Sequence, residues 1–393
     1  MNGTLSINYN LRHLQNRPMS SALTCLGVAL VLFVFTATQM LGAGVAETLK
    51  ASGSSNQLLI VRSGSQNELQ SALSREDVAI ILELALRSGA KSPLSWSADA
   101  VVLLNLEKQN QKGATSNVTI RGISPTHLAT QQVIRPPFTL ITGTFVSAGS
   151  NEIMVGSAVA RRFAGIEIGK NLRLAGVDWR IAGIFDAGNT SFNSEIWVDA
   201  EPLLQTIRRT NFSSVTLHYP NTALAEKATT IIESDPRLTV TAAREDLFYA
   251  SQSEFLSSFI IYLGAFISIV FSSAAITGSM ITMYTAVANR RREIGILRTL
   301  GFSAGVITKA FVQESLLLSM VGGCLGILAA TLLTFLQVGT TNFQTFSDVT
   351  FSFKLSSEII VRSLIFSIVM GVIGGALPAY SAARIKPLDA VRR

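Results

Sequence analysis

Few side chains in this chain of 393 residues are spaced to do chemistry. Gly301-Phe302-Ser303-Ala304-Gly305 has the G-x-S-x-G spacing of a serine nucleophile, which needs a strand–turn–helix setting and a histidine base further along the chain. No histidine follows His218, so Ser303 has no base and the hydrolase reading fails. The stretch AGIEIGKN (164–171) approaches a phosphate-binding loop. A Walker A loop, however, places four residues between its first glycine and Gly-Lys, and then a Ser or Thr. Here only three separate Gly165 from Gly169, and Asn171 follows Lys170, so a turn between strands is expected. His13, His127 and His218 share no ligand spacing, and Cys25 and Cys324 both lie in apolar stretches. Neither a metal site nor a disulfide framework is expected, and no residue is assigned a catalytic role.

The segment that stands out is RRREIGILRTLGFSAG, residues 290–305, set between two long uncharged stretches. On a helix Ile294 and Leu297 fall at i and i+3 with Gly301 at i+7, while Arg291, Glu293 and Arg298 point elsewhere. Thr299-Leu300-Gly301 would end that helix and Ser303 would cap the next. A short amphipathic helix could anchor at the membrane interface, arginines on phosphates and isoleucines in the acyl boundary. It could equally be a docking knob through which a cytoplasmic partner pushes on both flanking spans. Glu314, about one turn into the following span, is either an interfacial carboxylate or the ion-pair partner of an arginine from this segment.

The elements that must position this segment are membrane spans. The chain is 48% hydrophobic and 15% charged, with a mean hydropathy of +0.40. That is too apolar for an ordinary soluble protein of its length. Pro18–Ala46, Phe255–Asn289, Ser315–Ser347 and Ser363–Ala383 carry no charge, and each reaches the roughly 20 residues that a helix needs to cross a bilayer. The first lacks a short apolar core with a small-residue cleavage site, so a retained anchor is expected. The leading tail (Arg12, Arg17), the 290–309 segment and the closing tail (Arg384, Lys386, Asp389, Arg392, Arg393) carry nets of +2, +4 and +3. Residues 47–254 hold 19 basic and 20 acidic side chains. Short basic loops stay cytoplasmic, whereas long domains cross largely regardless of charge. Both termini and the 290–309 segment are therefore expected inside and residues 47–254 outside. The positive balance reports orientation rather than nucleic-acid binding, for which no aromatic-interleaved basic face exists.

Within the external part, NQLLIVRSGS reads as a strand closed by a glycine turn. LSREDVAIILELALRSGA reads as a helix with Ser74 as N-cap, Glu76 and Asp77 in its first turn and Gly89 as its stop. ADAVVLLNLE, SNVTIRGI, NEIMVGS, KNLRLAGVDWRIAGIF and SSVTLHY read as strands, and AEKATTIIESDP as a later helix. The fold class expected is a membrane protein of four transmembrane α-helices, with a large α+β extracytoplasmic domain between the first and second. The 35 uncharged residues before Arg290 would reach about 50 Å as a helix, against a hydrocarbon core of about 30 Å. The excess would stand outside as a stalk. The G-x-x-x-G patterns Gly322/Gly326 and Gly371/Gly375, with Gly323 between the first pair, point to close helix packing, within one subunit or across a dimer.

NRRREIGILRTLGFSAGVITKAFVQESLLLSMVGGCLGILAA closely resembles the signature of FtsX-like, MacB-type permeases of ABC transporters. In that family a run like R-x-R-E-I-G-x-x-[RK]-x-x-G precedes a span that opens with a glutamate and carries Gly-Gly-x-x-G. Arg290, Arg292, Glu293, Ile294, Gly295, Arg298, Gly301, Glu314, Gly322, Gly323 and Gly326 hold those positions here. ALPAYSAARIKPLDAVR resembles the family's C-terminal motif through Pro378, Ala383, Arg384, Pro387, Ala390 and Arg392. RGISPTHL, LITGTF and NEIMVGSAVARRFAGIEIGKNLRLAGVDWRIAGIF are similar to the MacB-type periplasmic core domain, and NLRHLQNRPMSSALTCLGVAL to the family's amphipathic lead-in.

The resemblance implies a bacterial inner-membrane permease with both termini cytoplasmic. The layout is a lead-in (1–19), transmembrane helix 1 (20–46), the extracytoplasmic domain (47–254), a stalk with transmembrane helix 2 (255–289) and a cytoplasmic coupling segment (290–309). Transmembrane helix 3 (310–337), an external loop (338–357), transmembrane helix 4 (358–383) and a tail (384–393) complete it. Arg290, Arg291, Arg292, Glu293, Ile294, Gly295, Leu297, Arg298 and Gly301 would couple to a separate ATP-binding subunit. That subunit would bind ATP and Mg, because this sequence has no Walker A motif; the chain itself would bind no cofactor. A second copy or a sister permease would complete a dimer in membrane lipid, with a membrane-fusion adaptor and an outer-membrane duct as further partners. Hydrolysis would drive export or extraction of a substrate by mechanotransmission. The alternative is a cargo-free mechanotransmitter that regulates a periplasmic partner such as a cell-wall hydrolase, although an external domain of about 208 residues is larger than such regulators usually carry. A receptor or adhesion ectodomain on four spans would leave the Arg-Glu-Ile-Gly segment unexplained.

Overall fold

The computed structural model describes residues 18–89, 95–109, 113–123, 138–342 and 345–384. His13, His127, most of the lead-in and the tail motif beyond Arg384 lie outside the described residues. Two compact units are present. One comprises residues up to 43, 258–336 and from 353 onward; the other comprises 44–257 and 337–352.

The first unit is helical. Helix α1 (Pro18–Lys50) is followed, after the second unit's chain, by a 45-residue helix, then a nine-residue helix, Ala304–Thr331 and Ser357–Ala383. Among the described residues, four helices are long and apolar enough to cross a membrane. The 45-residue helix (Glu245–Asn289) begins ten residues before the uncharged run, with Glu245 and Asp246 in its first turn. Acidic side chains there meet the positive end of the helix dipole. At 1.5 Å per residue it reaches about 67 Å, roughly twice a hydrocarbon core.

The second unit is built on one sheet. After β1 (Gln57–Arg62) comes α2 (Arg75–Arg87), where Ser74 and Asp77 form a reciprocal capping box. Gly64 and Gly89 both take positive φ where the sequence places a turn and a helix stop. Then follow β2 (Trp96–Glu107), β3 (Thr115–Ile123), β4 (Thr139–Gly143), β5 (Glu152–Gly156), α3 (Ser157–Arg162), β6 (Asn171–Leu174) and β7 (Val177–Asp186). A 3-10 turn (Ser191–Ser194) leads to β8 (Glu195–Asp199), α4 (Ala200–Thr206), β9 (Ser214–His218), α5 (Thr222–Glu233) and β10 (Val240–Arg244). The strand order is β10-β1-β9-β2-β3-β8-β5-β7-β4, with β6 also on β7. Most neighbours are antiparallel; β3/β8 and β5/β7 are parallel. AGIEIGKN falls in the turn before β6, with Gly165 and Gly169 at positive φ.

Strand alternation separates two faces. Leu58, Ile60, Ala98, Ala100, Ile120, Ile196, Val198, Val215 and Leu217 form the main core, against which α2, α3, α4 and α5 bury Val78, Ile81, Val159, Leu203, Ala228 and Ile232. The opposite face carries Asp99, Arg121, Glu195 and Trp197, and there Met154, Phe185, Phe192, Trp197 and Tyr249 form a second cluster. Trp197 stacks on Phe185 with centroids 4.2 Å apart. The segment expected as an external loop contains a hairpin, β11 (Gln337–Thr341) with β12 (Asp348–Ser352), that belongs to this second unit.

Candidate functional site

The long helix, now α6 (Glu245–Asn289), passes to α7 (Arg291–Thr299) through one residue, Arg290. The Arg290 amide still donates to the carbonyls of Ala286 and Val287, at 3.2 Å each, so the chain turns without a loop. The far end of α7 is a Schellman turn. Gly301 N–H donates to Arg298 O at 3.2 Å, Phe302 N–H donates to Leu297 O at 3.1 Å, and Gly301 sits at φ +95°. Ser303 holds the N-cap position of α8 (Ala304–Thr331), without a side-chain capping bond. Among the described residues α7 is thus tied at both ends to long helices with no slack.

The side chains of α7 divide by direction. Ile294 and Gly295 are buried. Ile294 packs with Met283 and Val287 of α6, Ile307 and Phe311 of α8, and Ala379 and Ala382 of the last helix, α9 (Ser357–Ala383). Leu297 and Arg298 are half-buried, while Arg291, Arg292 and Gly301 are exposed. Ile296 is 47% exposed and Leu300 64% exposed, four positions apart on the outer face. Together with Arg291 and Arg292 they make an amphipathic outer surface. The resemblance places Ile294 and Leu297 in the coupling segment; in the structure Ile294 packs into its own unit.

Arg290 also turns inward. Its guanidinium donates to Glu293 Oε2 and to Glu314 Oε2, both at 3.1 Å, and lies 5.0 Å over the Phe311 ring. The Arg290 and Glu314 side chains are only 10% and 8% exposed. Of the two readings open for Glu314, the geometry is that of the ion pair. Arg290 braces the turn between α6 and α7 rather than facing outward with Arg291 and Arg292.

The G-x-x-x-G glycines of α8 and α9, with Gly323, face other helices of the same unit. Gly322 lies so close to α1 that a Cβ would stand 2.6 Å from the Cys25 carbonyl, and Gly326 crowds Ala29 and Leu32 in the same way. Gly323 faces Ser367, while Gly371 and Gly375 face Ser319 and Ser315. Ser315 Oγ donates to Gly371 O at 2.8 Å. Small residues here let backbones approach closely enough for such bonds. Among the described residues no group of three or more His, Cys, Asp or Glu side chains is arranged to hold a metal ion.

Comparison with known families and proteins gives concordant matches along the chain. The MacB-like periplasmic core domain matches residues 21–247, and the FtsX-like permease C-terminal domain matches residues 258–387. The uncharacterized ABC transporter permease YvrN of Bacillus subtilis is 36% identical over 138 residues, which cover 35% of this chain and 32% of that protein. The uncharacterized ABC transporter permease MJ1507 of Methanocaldococcus jannaschii is 29% identical over 237 residues, 58% of each chain. The macrolide export ATP-binding/permease protein MacB of Hahella chejuensis is 29% identical over 240 residues, 58% of this chain and 35% of that one. The chain thus spans between about a third and about three-fifths of the length of these relatives. Among solved structures, the periplasmic region of MacB from Actinobacillus actinomycetemcomitans is 16% identical with a TM-score of 0.37, covering 53% of this chain and 98% of its own.

Proposed function

This chain belongs to the FtsX-like ABC transporter permeases that carry a MacB-like periplasmic core domain, and we propose that it relays ATP hydrolysis by a partner subunit to its extracytoplasmic domain to move a substrate. It is a multi-pass membrane protein, and an ABC permease works with an ATP-binding subunit. The finer reading is that α7 is the contact with that subunit, on the cytoplasmic side with both termini. ATP and Mg reside in the partner, and a second copy or a sister permease completes the transporter. An adaptor and an outer-membrane duct extend it in the export version.

The carrying observation is the junction at Arg290. A helix of 45 residues reaches an exposed amphipathic turn of helix across one residue, and that turn passes through a Schellman motif directly into α8. Force applied to Arg291, Ile296 and Leu300 has no loop in which to dissipate. The outer face of α7 also has the mixed character of a protein contact, with arginines around exposed apolar side chains.

The test is co-purification of the tagged permease in mild detergent from its native membranes, compared with Arg291→Glu, Ile296→Glu and Glu293→Arg. The expected outcome is an ATP-binding cassette subunit with the wild type and its loss with the first two variants. For Glu293→Arg, hydrolysis that no longer responds to substrate is expected, because the change sets a further cation beside Arg290. Retention of the subunit and of coupled hydrolysis in all three would overturn the assignment. A periplasmic hydrolase in place of an adaptor would move the reading from transport to cargo-free signalling.

A further inference from the structure

The helix-bearing face of the sheet holds a cleft of about 220 Å3 that plays no part in the coupling path. Its floor is apolar: Val78 of α2, Trp96 and Ala98 on one face of β2, and Phe212 just before β9. Its rim is charged. Asp199 and Glu201, at the start of α4, stand opposite Arg75 at the start of α2.

The rim carries two carboxylates and one guanidinium, so a negative charge is in excess. Asp199 is committed to the fold: it is buried and accepts from Gly149 N at 2.7 Å and Glu201 N at 3.1 Å. Glu201 is different, with its side chain 52% exposed and Arg75 Nη2 2.8 Å away. Arg75, itself 59% exposed, lies 5.3 Å over the Phe212 ring while it holds Glu201. One cation is therefore already bound by a ring and a carboxylate together. An exposed ion pair of this kind contributes little, so a second cation with an apolar body to bury can displace it. Cation–ring attraction and burial of that body both favour the exchange.

We propose that this cleft is a binding site for small amphipathic amines. The ammonium is received by Glu201 at the rim, and an aromatic or alicyclic body lies against Trp96 and Phe212. Anions are refused by the carboxylate excess, and neutral analogues lack the charge pair. Arg75 acts as a resident competitor that closes the empty cleft.

The chain carries its own reporter. Trp179 and Trp197 are fully buried, whereas Trp96 is half-buried at the cleft. The experiment is a titration of tryptophan emission in the purified full chain in detergent. The probes are phenethylamine, neutral 2-phenylethanol and anionic 3-phenylpropionate. A saturable change is expected with phenethylamine, at least tenfold weaker with the other two, and absent in Trp96→Phe. Glu201→Gln should weaken phenethylamine binding about tenfold or more. Arg75→Gln should strengthen it several-fold, a direction that a merely structural role for Arg75 does not give. Equal response to all three probes, an unchanged titration in Glu201→Gln, or weaker binding in Arg75→Gln would each overturn the proposal. Thermal melts of the variants that match wild type keep the comparison free of misfolding.

Discussion

Arg162 of α3 and Asp348 at the head of β12, 186 positions apart in sequence, form a two-armed ion pair, with Nη2 to Oδ2 at 2.9 Å. The Asp348 side chain is 3% exposed, and it also receives Ser116 Oγ at 3.1 Å and faces Lys108 Nζ at 3.6 Å. Gly339 of β11 lets the guanidinium pass, since a Cβ there would overlap it. This pair latches the hairpin onto the sheet. A two-stranded hairpin is marginal on its own in water, so release from the sheet should also melt it.

Asp348→Asn is therefore expected to raise amide hydrogen exchange across 337–352 at least tenfold. Gly339→Ala should give a smaller rise by pushing the guanidinium aside, and exchange in α8 and α9 should hold at the wild-type level. The measurement is exchange mass spectrometry on the detergent-solubilised full chain. Wild-type exchange in Asp348→Asn would show that backbone pairing alone holds the hairpin.

The polar face of the sheet hides a second ionic cluster. Arg121, 2% exposed, donates to Glu68 at 2.7 and 2.9 Å, to Glu195 at 2.8 and 3.0 Å, and to Asp99 at 3.2 Å. Glu68 further accepts from Ser214 and, at 3.0 Å, from the Tyr249 hydroxyl on α6, and Glu195 from the Trp197 indole. Burial alone would lower the Arg121 pKa, but Glu195 and Glu68 outweigh it and hold the guanidinium charged. Three carboxylates surround one cation, so the two kinds of loss are unequal. Arg121→Met strands several buried acids and should cost about 3–5 kcal/mol. Glu195→Gln removes one of the surplus negative charges and should cost clearly less. Thermal unfolding midpoints of the full chain report the order; equal midpoints, or a lower one for Glu195→Gln, would contradict the excess-charge account.

How much of this was legible in the sequence depended on how local the cause was. The spans are visible because an uncharged, apolar run longer than about 20 residues is rarely anything but a membrane helix. The α2 capping box and the Gly301 stop are visible because their causes lie within four residues. Hydropathy loses α6 at Glu254, yet the helix runs back to Glu245 through the mixed stretch EDLFYASQSE, held in part by the Tyr249–Glu68 bond across 181 positions. The hairpin is hidden for the same reason: its strands are only five residues each, β11 has a single large apolar side chain, Val338, and Asp348 finds its cation in α3. Spacing places the α7 residues on faces but does not say which face meets the unit's own interior. Ile296 and Leu300 therefore escape a reading by spacing, and Arg290 is grouped with its outward neighbours.

Arg290 and Glu314 supply the sharpest test of that distinction, because the sequence leaves Glu314 open between an interfacial carboxylate and an ion-pair partner. The 3.1 Å contact, with side chains 10% and 8% exposed, predicts strong coupling between the two. Groups in direct contact in one network show interaction energies of about 0.5–3 kcal/mol, whereas independent sites add. Arg290→Ala and Glu314→Ala should each lower the thermal midpoint of the full chain, and the double variant should fall little below the worse single one. Loss of Glu314 leaves a largely buried cation beside Glu293 and the Phe311 ring, and loss of Arg290 leaves a buried carboxylate, so each single change already carries the cost of a broken pair. The same Glu314→Ala protein should also loosen the response of hydrolysis to substrate, although Glu314 lies off the outer face of α7. Additive losses of stability would make Glu314 an independent interfacial carboxylate, and the turn between α6 and α7 would then owe its rigidity to Ile294 and its apolar neighbours alone.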